Sequence, residues 1–332
     1  MRRRILATVL AALMALSLTA CGSSNTSGNT AGNNTTGNNA DTTDNTSDAA
    51  DAGETGADSV IPPVEDLTDV DTSTIPGLED GVLTVGMECA YAPYNWMQMD
   101  DSNGAVPISN VSGSYANGYD VMMAQRICDA YGWELEIVSS DWEGLTASIQ
   151  SGVMDANIAG QSMTADRLQE VDMAGPYFYA TIVCVTTKDS PNASAASIQD
   201  LSGTCTAQTG TIWYDSCLPQ IEEAEILPPA ETAPAMIMQL QTGTADFICT
   251  DLPTAMGAVA KDDNLVILNF SGTDGDFQFA TEEDRAENVN IGISVEKGNT
   301  QLVEAMNTVL SAMDEEQFNA LMDYAISIQP EI

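Results

Sequence analysis

The sequence predicts an α/β fold whose sheets are largely parallel, because two kinds of segment alternate along most of the chain. From Gly81 onward, short apolar stretches typical of strands alternate with stretches that have the apolar spacing of amphipathic helices. The alternation occurs in two successive runs, and several strands end in polar, glycine-containing stretches. Since open α/β sheets bind ligands in a crevice beyond the carboxyl ends of their strands, we expect two α/β units and a ligand crevice.

The first run begins with a strand at residues 82–86. Its clearest helix spans residues 120–131, with one apolar stripe that includes Val121, Ala124 and Ile127. The other predicted segments are, in order, the strand 134–138, the helix 145–150, the strand 156–158, the helix 165–171 and the strand 182–186.

The second run repeats this order and ends in helices. Its helix 253–259 has Pro253 in the first turn, where the missing N–H costs nothing. Asn299 is a predicted helix cap, and Asp314 with Gln317 predicts a capping box for the last helix. The other predicted segments are the strand 204–207, a helix from about Thr211, the helix 235–240 and the strands 246–249, 265–268 and 291–295.

The first 20 residues predict a signal peptide, because a basic start at Arg2 to Arg4 precedes an apolar run too short to span a membrane. Small residues precede Cys21, as at a lipoprotein cleavage site, so Cys21 is the predicted lipid-bearing N-terminus. An ordinary secretory signal followed by a stray cysteine is the alternative. Residues 21–75 are rich in Asn, Thr, Gly and Ser, which predicts a disordered linker between the membrane and the fold.

The chain is strongly acidic, with a formal net charge of −40 from 49 Asp and Glu against 9 Lys and Arg. Such a surface repels nucleic acid and anionic lipid headgroups. Three of the nine cations lie in the predicted signal peptide, so a cation that holds an anionic ligand must be one of the remaining six. These six are Arg126, Arg167, Lys188, Lys261, Arg285 and Lys297.

The chain contains no histidine, which excludes histidine general bases, Ser-His-Asp and Cys-His nucleophile systems, and histidine-ligated zinc. The acidic residues show no calcium-loop spacing, so neither a metal nor a cofactor is expected. Disulfide pairing and free buried thiols both remain open for the six cysteines after Cys21. These are Cys89, Cys128, Cys184, Cys205, Cys217 and Cys249.

Five short motifs occur in a fixed order and spacing. They are residues 118–121 (GYDV), 141–145 (DWEGL), 152–156 (GVMDA), 162–167 (SMTADR) and 176–177 (PY). The series resembles the family 3 solute-binding proteins, the polar amino-acid receptors of ABC importers. Each motif is weak alone, but their order is specific, and the resemblance covers Gly81 to about Ala325.

The resemblance implies a two-lobe, type II periplasmic-binding-protein-like fold, in which each lobe has a mostly parallel sheet flanked by helices. Lobe 1 would comprise residues 76–185 and 290–332, and lobe 2 residues 186–289. Two segments, near 180–188 and 280–291, would cross between the lobes. Residues 100–117 are longer than is usual for the family and rich in Ser, Gly and Asn, which predicts a surface loop.

By the same resemblance, two sets of residues hold the poles of a free amino acid. Arg167, with Ser162 and Thr211, would bind the ligand carboxylate, since a guanidinium can form two parallel hydrogen bonds to it. Asp251 and the backbone carbonyl of Gly160 would bind the ligand ammonium group. The alternatives are a surface Arg167 paired with a neighbouring acid and helix caps at Ser162 and Asp251.

The ligand side chain would meet four further residues. Tyr91 and Trp142 match family positions that flank the ligand with flat aromatic faces, although a core position is the alternative for Trp142. Glu88 and Gln161 favour a polar ligand that is cationic or carries an amide, because a carboxylate at position 88 disfavours an acidic one.

The predicted function is therefore amino-acid capture by lobe closure, followed by delivery to an ABC permease. The protein would be a monomer anchored by its lipid to the outer face of the cytoplasmic membrane, as in Gram-positive cells, and would bind no nucleic acid. It is not predicted to be an enzyme. The alternatives are a dehydratase of an amino-acid-like substrate on the same fold, or a sensory binding protein.

Overall fold

The computed structural model describes residues 62–330, which form two five-stranded sheets and one small four-stranded sheet with helices packed around them. The strands are β1 (Val82–Met87), β2 (Ala90–Tyr91), β3 (Asn95–Gln98), β4 (Val106–Pro107), β5 (Tyr115–Asn117), β6 (Glu134–Ser139), β7 (Ala156–Ser162), β8 (Val171–Phe178), β9 (Ile182–Thr187), β10 (Ser202–Thr206), β11 (Glu223–Ile226), β12 (Phe247–Asp251), β13 (Leu265–Leu268) and β14 (Ile291–Glu296). The helices are α1 (Tyr119–Tyr131), α2 (Leu145–Gln150), α3 (Arg167–Glu170), α4 (Ala233–Gln241), α5 (Leu252–Lys261), α6 (Glu282–Val289), α7 (Thr300–Leu310) and α8 (Glu315–Ile328).

The two large sheets are built on the same plan. The first has the order β6-β1-β7-β14-β8, and the second has the order β11-β10-β12-β9-β13. In the first sheet only β14 runs opposite to the other strands, and in the second only β9 does. Each sheet is therefore mostly parallel, and we call the unit built on each sheet the first or the second lobe.

Each antiparallel strand, β9 or β14, is the first strand after the chain crosses from one sheet to the other. Strand β9 comes directly after β8 of the first sheet, and β14 comes after β13 of the second. The predicted lobe boundary between residues 185 and 186 falls inside β9, and this strand pairs with β12 and β13 of the second sheet. The chain thus passes between the sheets just before residue 182.

The small sheet has the order β2-β3-β5-β4 and belongs to the first lobe. A single bridge from Ile108 to Ile137 joins it to β6. Residues 100–117, expected to form a surface loop, contribute β4 and β5 to this sheet, and Ala105, Ile108 and Ala116 are buried. Apolar side chains at these positions therefore anchor a segment whose composition resembles that of a loop.

Helix α1 shows how the apolar pattern becomes packing. Val121, Ala124 and Ile127 are fully buried against the first lobe, and burying one such Val or Ile side chain stabilises a fold by about 1.5–3 kcal/mol. The helix ends at Gly132, whose φ of 69° is left-handed and suits glycine at a helix C-terminus.

The predicted caps of the last two helices are present. The side chain of Asn299 accepts a hydrogen bond from the Leu302 N–H at 3.3 Å. Asp314 and Gln317 form both bonds of a capping box at the start of α8.

Two predicted helices differ from the structure. The helix predicted at 165–171 is only the single turn α3, because the chain is already extended at Val171, where β8 begins. The helix predicted from Thr211 is an irregular turn over residues 213–220, and it ends where Pro219 provides no N–H for a regular helical bond.

Part of the predicted linker contacts the fold. Val64 and Leu67 pack against the core, and Ile75 is buried in it. The Leu67 N–H donates to the Ala130 carbonyl at 2.8 Å, and the Trp133 Nε1 donates to Thr72 Oγ1 at 3.0 Å. The signal peptide, Cys21 and residues 21–61 lie outside the described residues.

Within residues 62–330, the six cysteines after Cys21 are buried, and no disulfide joins them. Cys184 and Cys249 face each other as register partners on β9 and β12 without a bond between them. Within residues 62–330, no helix combines the length and the apolar character needed to cross a bilayer.

Candidate functional site

A cleft of about 460 Å³ is lined by residues of both lobes. Side chains and backbone from β2, β7 and the turns after β6 and β7 form one wall. The turn after β10 forms the other wall, and α6 closes one end. The lining residues that bear on binding are Tyr91, Trp142, Gly160, Ser162, Arg167, Gln208, Gly210, Thr211, Trp213 and Asn288.

Arg167 is the only one of the six described cations that lines this cleft. Its guanidinium donates to the Ser162 carbonyl and lies over the ring of Trp142, 5.7 Å from the ring centroid. Within residues 62–330 it forms no salt bridge, whereas Arg285 pairs with Asp276 and Lys297 with Asp172. Burial lowers the pKa of Arg167 to about 10, so the group stays charged at neutral pH. An unpaired, partly desolvated guanidinium is a strong site for an anion.

Ser162 and Thr211 approach the cleft from opposite lobes. Ser162 ends β7 and is buried, and its carbonyl orients Arg167. The Thr211 hydroxyl donates to the Gln208 carbonyl at 2.7 Å, so in this structure it fixes its own turn. Gly210 has a φ of 62° in this turn, which favours glycine because L side chains are strained there.

Trp142 of the first lobe lines the cleft and lies close to Gly210 of the second lobe. It stands in a short turn after β6 of the first lobe, and its Nε1 would be 3.1 Å from a Cβ added at Gly210 in the second lobe. The residue is partly buried, and one flat face carries the Arg167 guanidinium. It is therefore a wall of the cleft and not only a core residue.

Asp251 ends β12 and is fully buried, but it does not line the cleft. Its Oδ1 accepts from the Thr254 N–H at 2.9 Å, and its Oδ2 accepts from the Thr254 hydroxyl at 3.0 Å. Burial raises its pKa, and no cation within residues 62–330 pairs with it. Asp251 is thus a buried helix cap, as the alternative interpretation of the sequence expected, and it lies behind the wall of the cleft.

Tyr91 forms that wall. Its hydroxyl donates to Asp251 Oδ2, and its ring stacks on Tyr94 with 5.0 Å between ring centroids. The ring also covers Gly160, because a Cβ added at Gly160 would lie 2.7 Å from Tyr91 Cε1. Gly160 lines the cleft, and its N–H donates to the Tyr177 hydroxyl at 3.1 Å.

Glu88 lines a second cavity of about 810 Å³ instead of the first. Trp142 lines both cavities and stands between them. Gln208 of the second lobe donates to Glu88 Oε2 at 3.1 Å, while Glu88 Oε1 is buried and has no hydrogen-bond partner among residues 62–330. Burial is the main cause that raises the pKa of Glu88 to about 7. The hydrogen bond from Gln208 lowers this pKa, and the nearby charge of Asp141 raises it.

Gln161, a predicted ligand contact, does not line the cleft, although its neighbours Gly160 and Ser162 do. The Gln161 side chain is buried and accepts from the Ser294 hydroxyl of β14 at 2.6 Å.

Sequence reasoning assigned no ligand contact to several lining residues. Gln208 and Trp213 lie on either side of the turn at Gly210. The sequence Thr209-Gly210-Thr211 predicted this turn but not the contacts of the two flanking residues. Asn288 lies on α6, a helix that was not predicted because its exposed, charged sequence has almost no apolar stripe. Within residues 62–330, no cluster of acidic or cysteine side chains has a geometry that could hold a metal ion.

Comparison with known proteins decides the family. The family described as "Bacterial extracellular solute-binding proteins, family 3" matches residues 83–324. The chain is a family 3 solute-binding protein. The match begins in β1 and ends within α8, so it spans both lobes.

The chain is similar to three proteins with different printed names. The L-cystine-binding protein TcyJ of Escherichia coli (strain K12) is 23% identical over 238 residues, covering 72% of this chain and 79% of that protein. The structure of the Gly52Ala mutant of arginine-bound ArgBP from T. maritima is 27% identical with a TM-score of 0.57, covering 73% of this chain and 100% of the other. Cyclohexadienyl dehydratase of Pseudomonas aeruginosa is 24% identical over 176 residues, covering 52% of this chain and 60% of that protein.

Proposed function

We propose that this family 3 solute-binding protein captures a free amino acid for an ABC importer. The observation that carries the proposal is a pair of oppositely charged groups on either side of the Tyr91 wall, neither of which forms a salt bridge within residues 62–330. Arg167 lines the cleft, and the carboxylate of Asp251 lies behind Tyr91. A zwitterion supplies both missing partners, a carboxylate for Arg167 and an ammonium group for Asp251.

The groups that complete this site come from both lobes. Arg167, Ser162 and Gly160 belong to the first lobe, while Thr211 and Asp251 belong to the second. A ligand that contacts both sets gains its full interaction energy only when the lobes are closed, so it favours closure. The closed form would then be the form that an ABC permease receives.

The second cavity favours a ligand with a cationic side chain. Among the residues that the structure describes, its lining includes four carboxylates and no lysine or arginine. The carboxylates belong to Glu88, Asp141, Glu143 and Glu231. A side chain that passed Trp142 would reach the free Oε1 of Glu88, and a guanidinium or ammonium group would satisfy that buried oxygen. The arginine-bound relative from T. maritima is consistent with this chemistry.

The N-terminal segment would determine where the protein is located. A signal peptide that ends before a lipidated Cys21, followed by a linker, would hold the binding unit at the outer face of the cytoplasmic membrane. The family description as extracellular supports the compartment. We propose a monomer that meets the permease from this tether, as in Gram-positive cells.

Calorimetric titration with the twenty common amino acids tests the function. We expect one or a few to bind with one-to-one stoichiometry, with arginine or lysine among them. Binding by none would contradict the proposal. The dehydratase similarity supplies a second outcome, because an enzyme would convert an amino-acid-like substrate and mass spectrometry of the mixture would detect a dehydrated product.

A further inference from the structure

Asp120 is a buried carboxylate to which the proposed function assigns no role. It stands in the first turn of α1 and is 0% exposed. Its Oδ1 accepts from the Tyr177 hydroxyl at 2.6 Å, and its Oδ2 accepts from Asn95 Nδ2 at 2.7 Å. Both hydrogen bonds favour the ionised carboxylate, yet within residues 62–330 no lysine or arginine forms a salt bridge with it.

A chain of hydrogen bonds connects this carboxylate to the cleft. The Tyr177 hydroxyl that donates to Asp120 also accepts from the Gly160 N–H at 3.1 Å. Gly160 lines the cleft, and Tyr177 is fully buried, with its ring stacked on that of Tyr119 at 5.7 Å between ring centroids. Asp120 therefore lies two hydrogen bonds from the residue whose backbone carbonyl we expect to bind the ligand ammonium group.

Asp120 of the first lobe and Asp251 of the second are close enough for their charges to interact. Burial is the main cause that raises the pKa of Asp120 to about 7; the hydrogen bonds from Tyr177 and Asn95 lower this pKa, and the charge of Asp251 raises it. Burial also raises the pKa of the other titratable groups that face Asp120, far above neutrality, and these groups are Cys89, Tyr94, Tyr119 and Tyr177. A cation bound near both carboxylates would therefore favour the ionised form of both.

We propose that Asp120 is a positioning residue of the ligand site, which holds Gly160 through Tyr177 and supplies a second negative charge for the ligand ammonium group. This inference rests on the proposed function, because the captured amino acid supplies the ammonium group. Asp120 does not touch the ligand and acts through the hydrogen-bond chain and the field of its charge. Its charge should therefore matter only for ligands that carry an ammonium group, and their binding should release a proton from Asp120 near neutral pH.

A pair of ligands separates this role from a structural one. The des-amino analogue of the tightest-binding amino acid keeps the carboxylate and the side chain but has no ammonium group. Asp120→Asn removes the charge with little change of shape, and calorimetry measures both ligands on both proteins. We expect Asp120→Asn to weaken binding of the amino acid about tenfold and binding of the analogue less than about twofold. An unchanged affinity for the amino acid, or an equal loss for the two ligands, overturns the proposal.

Asp155 provides a matched control. It is another acid of the first lobe, and burial raises its pKa to about 6. Its Oδ2 accepts from the Thr84 N–H at 3.0 Å, and it does not line the cleft. Asp155→Asn should leave the affinities for both ligands unchanged. A selective loss as large as that of Asp120→Asn would contradict the proposal, because it would be an effect of any buried acid in this lobe.

Proton release supplies a readout that a merely structural role would not move. Calorimetry at pH 7 in phosphate and in Tris buffer gives the number of protons released per ligand bound. We expect the wild type to release up to about half a proton more than Asp120→Asn, because a group with a pKa of about 7 is half protonated at that pH. Glu88 and Asp251 are present in both proteins, so the difference reports on Asp120. The same number in both overturns the proposal.

Should Asp120→Asn fail to fold, Tyr177→Phe tests the same chain, because it keeps the ring on Tyr119 and removes the oxygen that joins Asp120 to Gly160. It should weaken binding of the amino acid more than binding of the analogue, and equal losses would contradict the proposal. If no amino acid binds the wild type, the proposed function fails and the role of Asp120 fails with it. Tight binding of an amino acid with equal losses for the two ligands overturns the role of Asp120 alone.

Discussion

At the scale of single residues, Arg167 differs from the other lysines and arginines in its contacts. Lys188 is exposed, Lys261 donates to the Gln329 carbonyl at 3.2 Å, and Arg126 donates to the Pro63 carbonyl at 3.3 Å. Arg285 and Lys297 are paired with acids. Within residues 62–330, Arg167 is thus the one cation that lines the cleft, and it forms no salt bridge there, which agrees with our proposal that a ligand supplies the anion.

Replacing Arg167 with alanine should weaken amino-acid binding at least about tenfold, because a hydrogen bond to a charged group contributes about 1.5–3 kcal/mol. Arg167→Lys should be intermediate, since it keeps the charge but loses the paired donors. Lys188→Ala is the control, because it removes an equal charge from an exposed position. Calorimetric affinities that stay unchanged in Arg167→Ala would remove this residue from the site.

Glu88 should make cation binding dependent on pH. Its pKa, raised to about 7 mainly by burial, leaves the carboxyl partly protonated near neutrality, and a cationic side chain binds the ionised form. Below pH 7 the affinity for a cationic ligand should therefore fall, by up to about tenfold per pH unit. Titrations between pH 5.5 and 8 check this, and Glu88→Gln should bind more weakly with a flat profile. A flat profile in the wild type would contradict the role of Glu88.

At the scale of elements, strand β7 shows what the sequence could and could not provide. The strand and its exit toward Arg167 followed from the apolar pattern and the motif at 162–167. The position of Gln161 was not available from the sequence, because the pairing of β7 with β14 is irregular beside this residue and Gly160 has a left-handed φ of 62°. The bond from Tyr91 to Asp251 joins residues far apart in the chain, and no local pattern encodes it.

The capping box of α8 should contribute to stability and not to binding. Asp314→Ala removes the acceptor for the Gln317 N–H, a 3.0 Å bond, and should cost about 1 kcal/mol of unfolding free energy. Asp323→Ala, at an exposed position within the same helix, is the matched control and should cost little. Chemical denaturation measures both variants. An equal effect in the two would mean that the cap contributes nothing specific.

At the scale of the whole molecule, buried carboxyl groups should make the ligand-free protein more stable below neutral pH. Burial raises the pKa of Glu88 and Asp120 to about 7 and that of Asp155 to about 6. The folded state thus binds more protons than the unfolded chain between about pH 4 and 7. The stabilising contribution is present below that window and is lost as the pH rises through the folded-state pKa values.

We therefore expect the denaturation midpoint of the ligand-free protein to be higher at pH 5.5 than at pH 8. The net charge of −40 acts in the same direction, because protonation lowers the repulsion between acidic groups. Glu88→Gln should flatten part of the profile, since it removes one of the groups that titrate. Stability that rises from pH 5.5 to pH 8 would contradict the assignment of these buried acids.

The overall architecture followed from the sequence more completely than the site did. Alternating strands and helices predicted two α/β units, and the order of five motifs predicted the family that residues 83–324 match. Strand β8 was missed because Gly175 and Pro176 interrupt its apolar run, and β2 to β5 were missed because they are very short. Distances across the cleft depend on how the two lobes meet, which residue patterns within one lobe do not specify.

The decisive measurement is a crystal structure of the protein with its tightest-binding amino acid. We predict that the ligand carboxylate contacts Arg167 and that the ligand ammonium group contacts Asp251. A ligand bound outside this cleft, or one with its carboxylate away from Arg167, would contradict the proposed binding site.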